Sequence, residues 1–514
     1  MSSGNSKRYR IKISLLFYLI LIFVQFVIWI QCPDEDIISF LKYYACAIYI
    51  VGIIIPLLLG INIVHPYILY LLAFGVFMMS RVFLDTFGVE NAFFDVATWA
   101  NDWSFFSQPI QFEMLNALIF FLLFASLGAL SVFYLSSGLY ENRSIKEATP
   151  IMLAVRRLGF ALFIAFTIPY LIYLYQAVKY VMENGYLAVY LNESATSVTN
   201  PFLRISDDFC IAGLFLYLST FPSGKKYKFA IIFYIFTLLI MLGTGGRTAT
   251  FTQIFAFIVY LGLRGLRIDK RRIIYFSLTV CGLIYTAQIV NDFRDKGFEG
   301  LVCDSESDIP IAQLVQTFFW QQGTSIQTIG RTIEHADDVT NGWLYFYGPI
   351  TDNLRKNPVA ESLNFGIPQG QVAETVKKSY SWSDKLSYIV APKYYLSGHG
   401  MGSSAIAESY IFGGMFGVMF VGYMLVFCVI FFVEKYKKTY TGVFLLFFML
   451  PAFFISPRSA PMNIVPVLFR PLFMLFFIQL LFYGCFVFLI IYFDLQKLYM
   501  HLLLRCHLVN YLIE

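Results

Sequence analysis

The sequence predicts an all-α polytopic membrane protein, and three observations carry that prediction. Hydrophobic residues make up 58% of the chain and charged residues 13%, with a mean hydropathy of +0.68; a soluble domain has about 45–50% apolar and about 25% charged residues, so a soluble fold is excluded. The apolar residues gather into runs of about 20, the length a helix needs to cross about 30 Å of hydrocarbon, whereas membrane strands would alternate at every second residue. Lys and Arg collect in alternate connections between the runs, as they do on the cytoplasmic side of membrane proteins.

The runs fall at 11–31, 39–59, 64–84, 114–135, 158–180, 207–222, 229–243, 248–264, 273–290, 404–433, 441–457 and 464–493, which makes about 12 transmembrane helices. The first follows Lys7, Arg8, Arg10 and Lys12; it is too long for a signal peptide and lacks a small-residue cleavage site, so it reads as an uncleaved span. Starting inside, the basic clusters come at alternate loops: Arg143, Lys146, Arg156 and Arg157; Lys225, Lys226 and Lys228; Arg264, Arg267, Lys270, Arg271 and Arg272; Lys435, Lys437 and Lys438. The uncharged turn 60–63 is the exception. Segments 32–38 and 85–112 on the other side hold no Lys or Arg and carry Asp34, Glu35, Asp36, Glu90, Asp95 and Asp102. Both termini are therefore expected in the cytoplasm. The sixth to eighth runs are short, which leaves tilt or a merged pair open.

The one long excursion, 291–403, lies on the outer side, and long ordered loops are usually functional. Within 311–334, Ile311, Leu314, Val315, Phe318, Phe319, Ile326 and Ile329 are spaced for amphipathic helices lying on the membrane surface. The expected organisation is an N-terminal transmembrane bundle at 1–290, this large loop at 291–403, and a C-terminal bundle of about three spans with a cytoplasmic tail at 404–514. No internal repeat of the transporter kind is present.

Cysteines and acidic residues say less. Cys46, Cys210, Cys281, Cys428 and Cys485 fall in apolar runs, where Cys acts as a small hydrophobe. Cys32 and Cys303 share the outer side, where an oxidising compartment would let them pair. Asp34-Glu35-Asp36 has a D-x-D spacing suited to a divalent metal, but an ordinary acidic loop is preferred and no metal is assigned. The positive charge is distributed by membrane side rather than gathered in a patch, so no nucleic-acid partner is expected.

Five groups of residues stand out chemically. Gly243-Thr244-Gly245-Gly246-Arg247-Thr248 sits at the outer end of a short run; its glycines allow an anion nest, a helix begins there, and Arg247 offers a planar fork to phosphate oxygens. A tight hairpin with a snorkelling Arg is the alternative. Ser397-Gly398-His399-Gly400-Met401-Gly402-Ser403-Ser404 leads into a helix with Glu408 one turn below Ser404, so that His399 and Glu408 are proton-transfer candidates. Here the alternative is a glycine turn, a serine cap, and Gly413 with Gly417 packing on a neighbour. Arg458 in the turn Ser456-Pro457-Arg458-Ser459 and Arg470 in the last run are further outer cations; an Arg at mid-membrane costs roughly 2.5–3.5 kcal/mol, so Arg470 should face a partner or a wet cavity. Arg331, Glu334 and His335 would share a helix face, as a site or as a solvated charged surface. Arg81 and Asp85 have i,i+4 spacing and read as a structural pair.

These segments resemble the Wzy family of bacterial O-antigen polysaccharide polymerases, inner-membrane enzymes that join oligosaccharide repeat units. The resemblance rests on the many spans, the large periplasmic loop in the second half, Gly245-Gly246-Arg247-Thr248 at a periplasmic helix end, and Gly400-Met401-Gly402-Ser403-Ser404-Ala405-Ile406-Ala407-Glu408-Ser409-Tyr410 followed by Phe412-Gly413-Gly414 and Gly417. It implies transfer of a growing glycan from undecaprenyl pyrophosphate to the non-reducing end of a new lipid-linked unit, without metal or cofactor. Arg247 foremost, then Arg458 and Arg470, would stabilise the pyrophosphate leaving group; Glu408 or His399 would take the acceptor proton, the alternative for Glu408 being to orient an Arg. Gly245, Gly246, Thr248, Gly402, Ser403, Ser404 and Arg331 would contact substrate. The implied partners are the undecaprenyl-pyrophosphate-linked oligosaccharide and inner-membrane lipids, with a polysaccharide chain-length regulator as a further candidate. An O-antigen ligase would use similar outer arginines and His. A lipid-linked oligosaccharide flippase should instead carry cations through the membrane depth, and a scaffold has no need of the paired Gly/Arg and Gly/Ser/Glu segments.

Overall fold

The computed structural model describes residues 3–88, 106–136, 149–185, 187–191, 200–244, 247–265, 282, 311–356, 360, 363, 365–368 and 370–480, which form helices and turns with no strand among them. Among the described residues, eight helices are long and apolar enough to cross a membrane: Ser6–Trp29, Glu35–Leu58, Pro66–Thr86, Gln108–Ser136, Pro150–Asn184, Ala405–Tyr436, Tyr440–Arg458 and Pro461–Leu480; Thr248–Leu263 is a shorter apolar helix. The expected runs at 207–222 and 229–243 coincide with Pro201–Ser219 and Lys225–Leu242, which carry Arg204, Asp207 and Asp208, and Lys225, Lys226 and Lys228, at one end. The run 273–290 lies outside the described residues apart from Gly282, as do 464–493 beyond 480 and Cys303.

The chain divides into two compact units, Met1–Pro466 and Val467–Glu514. In the first, α1 is Ser3–Trp29, α2 Glu35–Leu58, α3 Pro66–Phe74, α4 Ser80–Thr86, α5 Gln108–Ser136, α6 Pro150–Asn184, α7 Ala188–Leu191, α8 Pro201–Ser219, α9 Lys225–Leu242 and α10 Arg247–Leu263. The long loop supplies α11 Ile311–Gln322, α12 Gln327–Glu334, α13 Gly342–Arg355, α14 Ala373–Lys378, α15 Trp382–Val390 and α16 Pro392–Leu396; α17 Ala405–Tyr436 and α18 Tyr440–Ile455 follow. Helix starts obey capping chemistry. Asp34, His65, Thr149, Asn200, Ser404 and Thr439 each accept a first-turn N–H through the side chain, which satisfies a donor the helix leaves open. Asp34 of the acidic D-x-D spacing is thus the cap of α2.

Helix α5 is central: every side chain from Met114 to Leu123 is at most 2% exposed, the burial of a helix surrounded on all sides. It packs against α1, α2 and α17. A Cβ on Gly128 would stand 2.6 Å from the Tyr423 carbonyl oxygen, so the α5–α17 crossing is as close as backbones allow. The α6–α8 crossing uses the same device, with Gly159 and Gly213 facing each other's carbonyls. Gln25 and Asn116, both fully buried, join α1 to α5 by a 2.6 Å hydrogen bond.

Three expectations need correction. The run 404–433, expected as one span, is two helices: Gly413 (φ −164°, ψ 33°) and Gly414 (φ 58°, ψ −147°) break it. Residues eight apart on a straight helix are separated by about 12 Å, yet Gly417 lies directly against the Ser409 carbonyl, so the chain folds back there. Residues 415–436 alone extend roughly 33 Å, enough to cross the hydrocarbon, and 405–412 becomes a separate half-helix. Arg81 and Asp85 do not pair. Asp85 bonds Lys42 at 2.6 Å, while the Arg81 guanidinium turns to α11, donating to the Trp320 carbonyl at 3.1 Å and lying 4.2 Å from the indole centroid. Finally, the apolar face of α12 is not spent on the membrane surface: Ile326 and Ile329 are at most 1% exposed, packed into the first unit's helix ends.

Candidate functional site

The site is built where the loop meets the ends of α3–α4, α10, α17 and α18. A π-helical turn, Gly75–Met79, joins α3 to α4, and Ser80 Oγ donates back to the Gly75 and Val76 carbonyls at 3.1 and 2.7 Å. This widened turn presents Ser80 and Arg81 to the 3-10 segment Gly323–Ile326 that follows α11. A Cβ on Gly323 would come within 2.8 Å of Arg81 Cγ and 3.0 Å of the Arg81 backbone nitrogen. Only a residue without a side chain lets the two segments meet.

Gln322, the last residue of α11, accepts a 2.9 Å hydrogen bond from Arg458 Nη1. Arg458 ends the 3-10 turn Ser456–Arg458 beyond α18, and its guanidinium lies 5.9 Å from the Phe77 ring centre on the π turn. The amide orients the guanidinium, a group that can stabilise an anion. Four residues before Gln322, Phe318 meets Phe251 of α10 edge-on at 6.4 Å. Phe251 lies one turn from Arg247, the first residue of α10, so the α10 start is brought to the same helix that holds Arg458.

Thr328, six residues after Gln322, reaches the other constellation. Its hydroxyl lies 3.1 Å from Ser404 Oγ and 2.7 Å from the Ser325 carbonyl. Ser404 in turn accepts from Ala407 N at 3.0 Å and caps the 405–412 half-helix. Gly402 has φ 76°, a left-handed turn that delivers Ser403 to the helix start. Ser403 Oγ donates to Glu408 Oε1 at 2.8 Å. Ser403, Ser404 and Glu408 are 5%, 0% and 2% exposed, and Glu408 Oε2 has no hydrogen-bond partner among the described residues. A buried carboxylate oxygen left unsatisfied is costly, so this atom is open to a hydrogen bond or a proton from a further group.

The loop holds the half-helix from its far side. Gly342 lies against the Ile411 carbonyl, Phe346 stacks on Phe412 at 4.5 Å, and Ile411 joins Trp382 and Leu386 in a buried core. Trp382 Nε1 donates to Thr332 Oγ1 at 2.8 Å, one turn beyond Thr328 on α12.

The remaining candidates separate. Ser403, Ser404, Gly402, Glu408 and Arg458 are linked through the single stretch 322–328, and Thr248 lies half-buried on the first turn of α10. Gly245, Gly246 and the Arg247 side chain lie outside the described residues. His399 stays with its own turn: Nδ1 is 3.1 Å from Ser397 Oγ and the ring meets Tyr394 edge-on. Arg331 pairs with Glu334 at 2.7 Å over the Phe106 ring, and His335 pairs with Asp338 rather than with that face. Arg470 is an exposed residue of the second unit.

Gln322, Thr328, Arg81 and Glu113 were not foreseen at this site. Glu113, one residue ahead of the expected run 114–135, carried a usable signal, since an ionisable group at a span edge is a functional candidate by default. Gln322 carried none, because an amide beside Trp320 is ordinary in an amphipathic helix.

A family model described as O-antigen polysaccharide polymerase Wzy matches residues 14–497, nearly the whole chain. No curated protein and no solved structure matches it.

Proposed function

The chain belongs to the O-antigen polysaccharide polymerase Wzy family, and from that premise we propose that it joins undecaprenyl-pyrophosphate-linked repeat units into O-antigen at the periplasmic face of the inner membrane, with both termini cytoplasmic. The acceptor hydroxyl at the non-reducing end of one unit attacks the anomeric carbon of the growing glycan. As the new C–O bond forms, the bond from that carbon to the pyrophosphate oxygen breaks, and undecaprenyl pyrophosphate leaves with the electron pair. Arg458, held by Gln322, and Arg247 at the start of α10 stabilise the charge on the departing pyrophosphate. The acceptor proton passes to Glu408, directly or through Ser403: as Ser403 Oγ accepts that proton, its own moves to Glu408 Oε1.

The observation that carries this reading is the Ser403–Glu408 hydrogen bond, 2.8 Å long and buried, tied through Thr328 and Gln322 to the Arg458 guanidinium. Acid–base chemistry and anion stabilisation need these two groups on one frame. A flippase needs no catalytic base and would carry its cations through the membrane depth.

The test is the surface lipopolysaccharide profile of cells lacking the protein, complemented with wild type, Arg247→Ala or Glu408→Ala at matched protein levels. Core plus a single repeat in the deletion strain, with a ladder restored by wild type and by neither variant, supports polymerisation through these residues. A core with no repeat attached would assign the protein to ligation or export instead.

A further inference from the structure

Glu113 opens the membrane-embedded part of α5, and the reaction as written gives it no role. It is half-buried and both carboxylate oxygens are engaged: Oε2 accepts from Trp29 Nε1 at 3.0 Å, and Oε1 accepts from Tyr410 OH at 3.4 Å. Trp29 is the last residue of α1, and Tyr410 stands two residues from Glu408 on the 405–412 half-helix. The Trp29 contact has hydrogen-bond length and the 3.4 Å Tyr410 contact is a longer polar one, so the carboxylate lies between the end of α1 and the half-helix within reach of both.

The half-helix needs such holding. The break at Gly413 and Gly414 removes the continuous hydrogen-bond ladder that would otherwise set its direction from residues 415–436. Its orientation then depends on side-chain contacts. Gly342, Phe346, Trp382 and Leu386 tie it to the loop; Tyr410 ties it to α5, and through Glu113 to the end of α1. Loop and transmembrane helices thus grip the same eight residues, which carry Glu408.

We propose that Glu113 is a positioning residue for the transfer reaction: through Tyr410 it fixes the half-helix, and with it the Glu408 carboxylate, against α5 and α1. The inference rests on the role given to Glu408 above. In this role Glu113 acts through Tyr410 and not on the glycan.

The experiment measures kcat and KM of the purified full-length protein in lipid nanodiscs with a lipid-linked repeat unit, for Glu113→Gln, Glu113→Ala, Tyr410→Phe and the double variant Glu113→Ala/Tyr410→Phe, with thermal melting as a fold control. Positioning predicts that Glu113→Ala and Tyr410→Phe each lower kcat on the order of 10–100-fold at unchanged KM. The double variant should be no worse than the poorer single one, and Glu113→Gln, whose amide oxygen still accepts from Tyr410, should recover most of the rate. A rise in KM at constant kcat would overturn the proposal by making Glu113 a substrate contact. So would losses that multiply in the double variant, or a Gln variant as poor as Ala. Tyr410→Phe and Glu113→Gln are nearly isosteric and keep the test readable if Glu113→Ala does not fold. Glu408→Gln in the same series separates the two readings: if its kcat is intact the role of Glu408 fails, while the coupling between Glu113 and Tyr410 is judged by its own cycle.

Discussion

The hydroxyl of Ser403 donates to the carboxylate of Glu408 at 2.8 Å, across the start of a half-helix that the next serine, Ser404, caps. Two adjacent serines therefore do different things: one completes a helix end, the other binds the ionisable group inside it. Because Ser404 is also the acceptor for Thr328, the cap belongs to the loop as much as to α17.

If Glu408 takes the acceptor proton, Glu408→Gln keeps its volume and loses the base. Its kcat should fall roughly 10²–10⁴-fold, with Ser403→Ala falling less because Glu408 is still present. Rates from purified protein check this; a Gln variant with wild-type turnover would remove Glu408 from proton transfer.

Gln322 accepts one hydrogen bond from Arg458 Nη1, and a guanidinium offers pyrophosphate a planar fork that Lys lacks. Arg458→Ala should reduce kcat by about 10²–10³-fold, and Arg458→Lys should restore little of it. Gln322→Ala should give a milder loss, since the charge remains while its orientation loosens. The ladder length on a lipopolysaccharide gel and single-turnover rates both report the order of the three variants.

Gly414 has φ 58° and ψ −147°, a conformation nearly closed to residues with a Cβ. Gly414→Ala should destabilise the protein by about 1–3 kcal/mol and lower its melting temperature in detergent. Ala is the better helix former, so a more stable Gly414→Ala protein would mean that α17 runs straight through this point.

Lys42, and not Arg81, is the partner of Asp85. A double-mutant cycle on melting should give Lys42 and Asp85 a coupling of about 1 kcal/mol or less, as expected of a partly exposed pair. Arg81 and Asp85 should show none. Arg81→Ala should cost more than Asp85→Asn, because it removes the guanidinium buried against Trp320.

How far the sequence could be read depended on the range of the interaction. Residues 114–135 were legible as an apolar run of spanning length; that α5 is surrounded on all sides came from the packing. Arg81 and Asp85 had the right spacing for a pair, but local spacing cannot weigh Lys42 of another helix or the indole of Trp320, 239 residues away along the chain. Gly413 with Gly417 read as a small-residue packing surface; that Gly413 and Gly414 break the helix shows only in the fold, where Gly342 and Phe346 contact the 405–412 segment. Of the candidate site, Ser403, Ser404 and Glu408 were legible because a helix start is a local event, whereas Gln322 and Thr328 were not.

By itself, then, the sequence determined the all-α membrane class and where most of the described apolar helices fall, because bilayer thickness and helix capping act over some twenty residues or fewer. Only the tertiary structure decided which polar groups meet. Trp29 and Tyr410 lie 84 and 297 residues from Glu113, and a buried donor or acceptor takes the nearest partner in space, which depends on how every intervening helix packs.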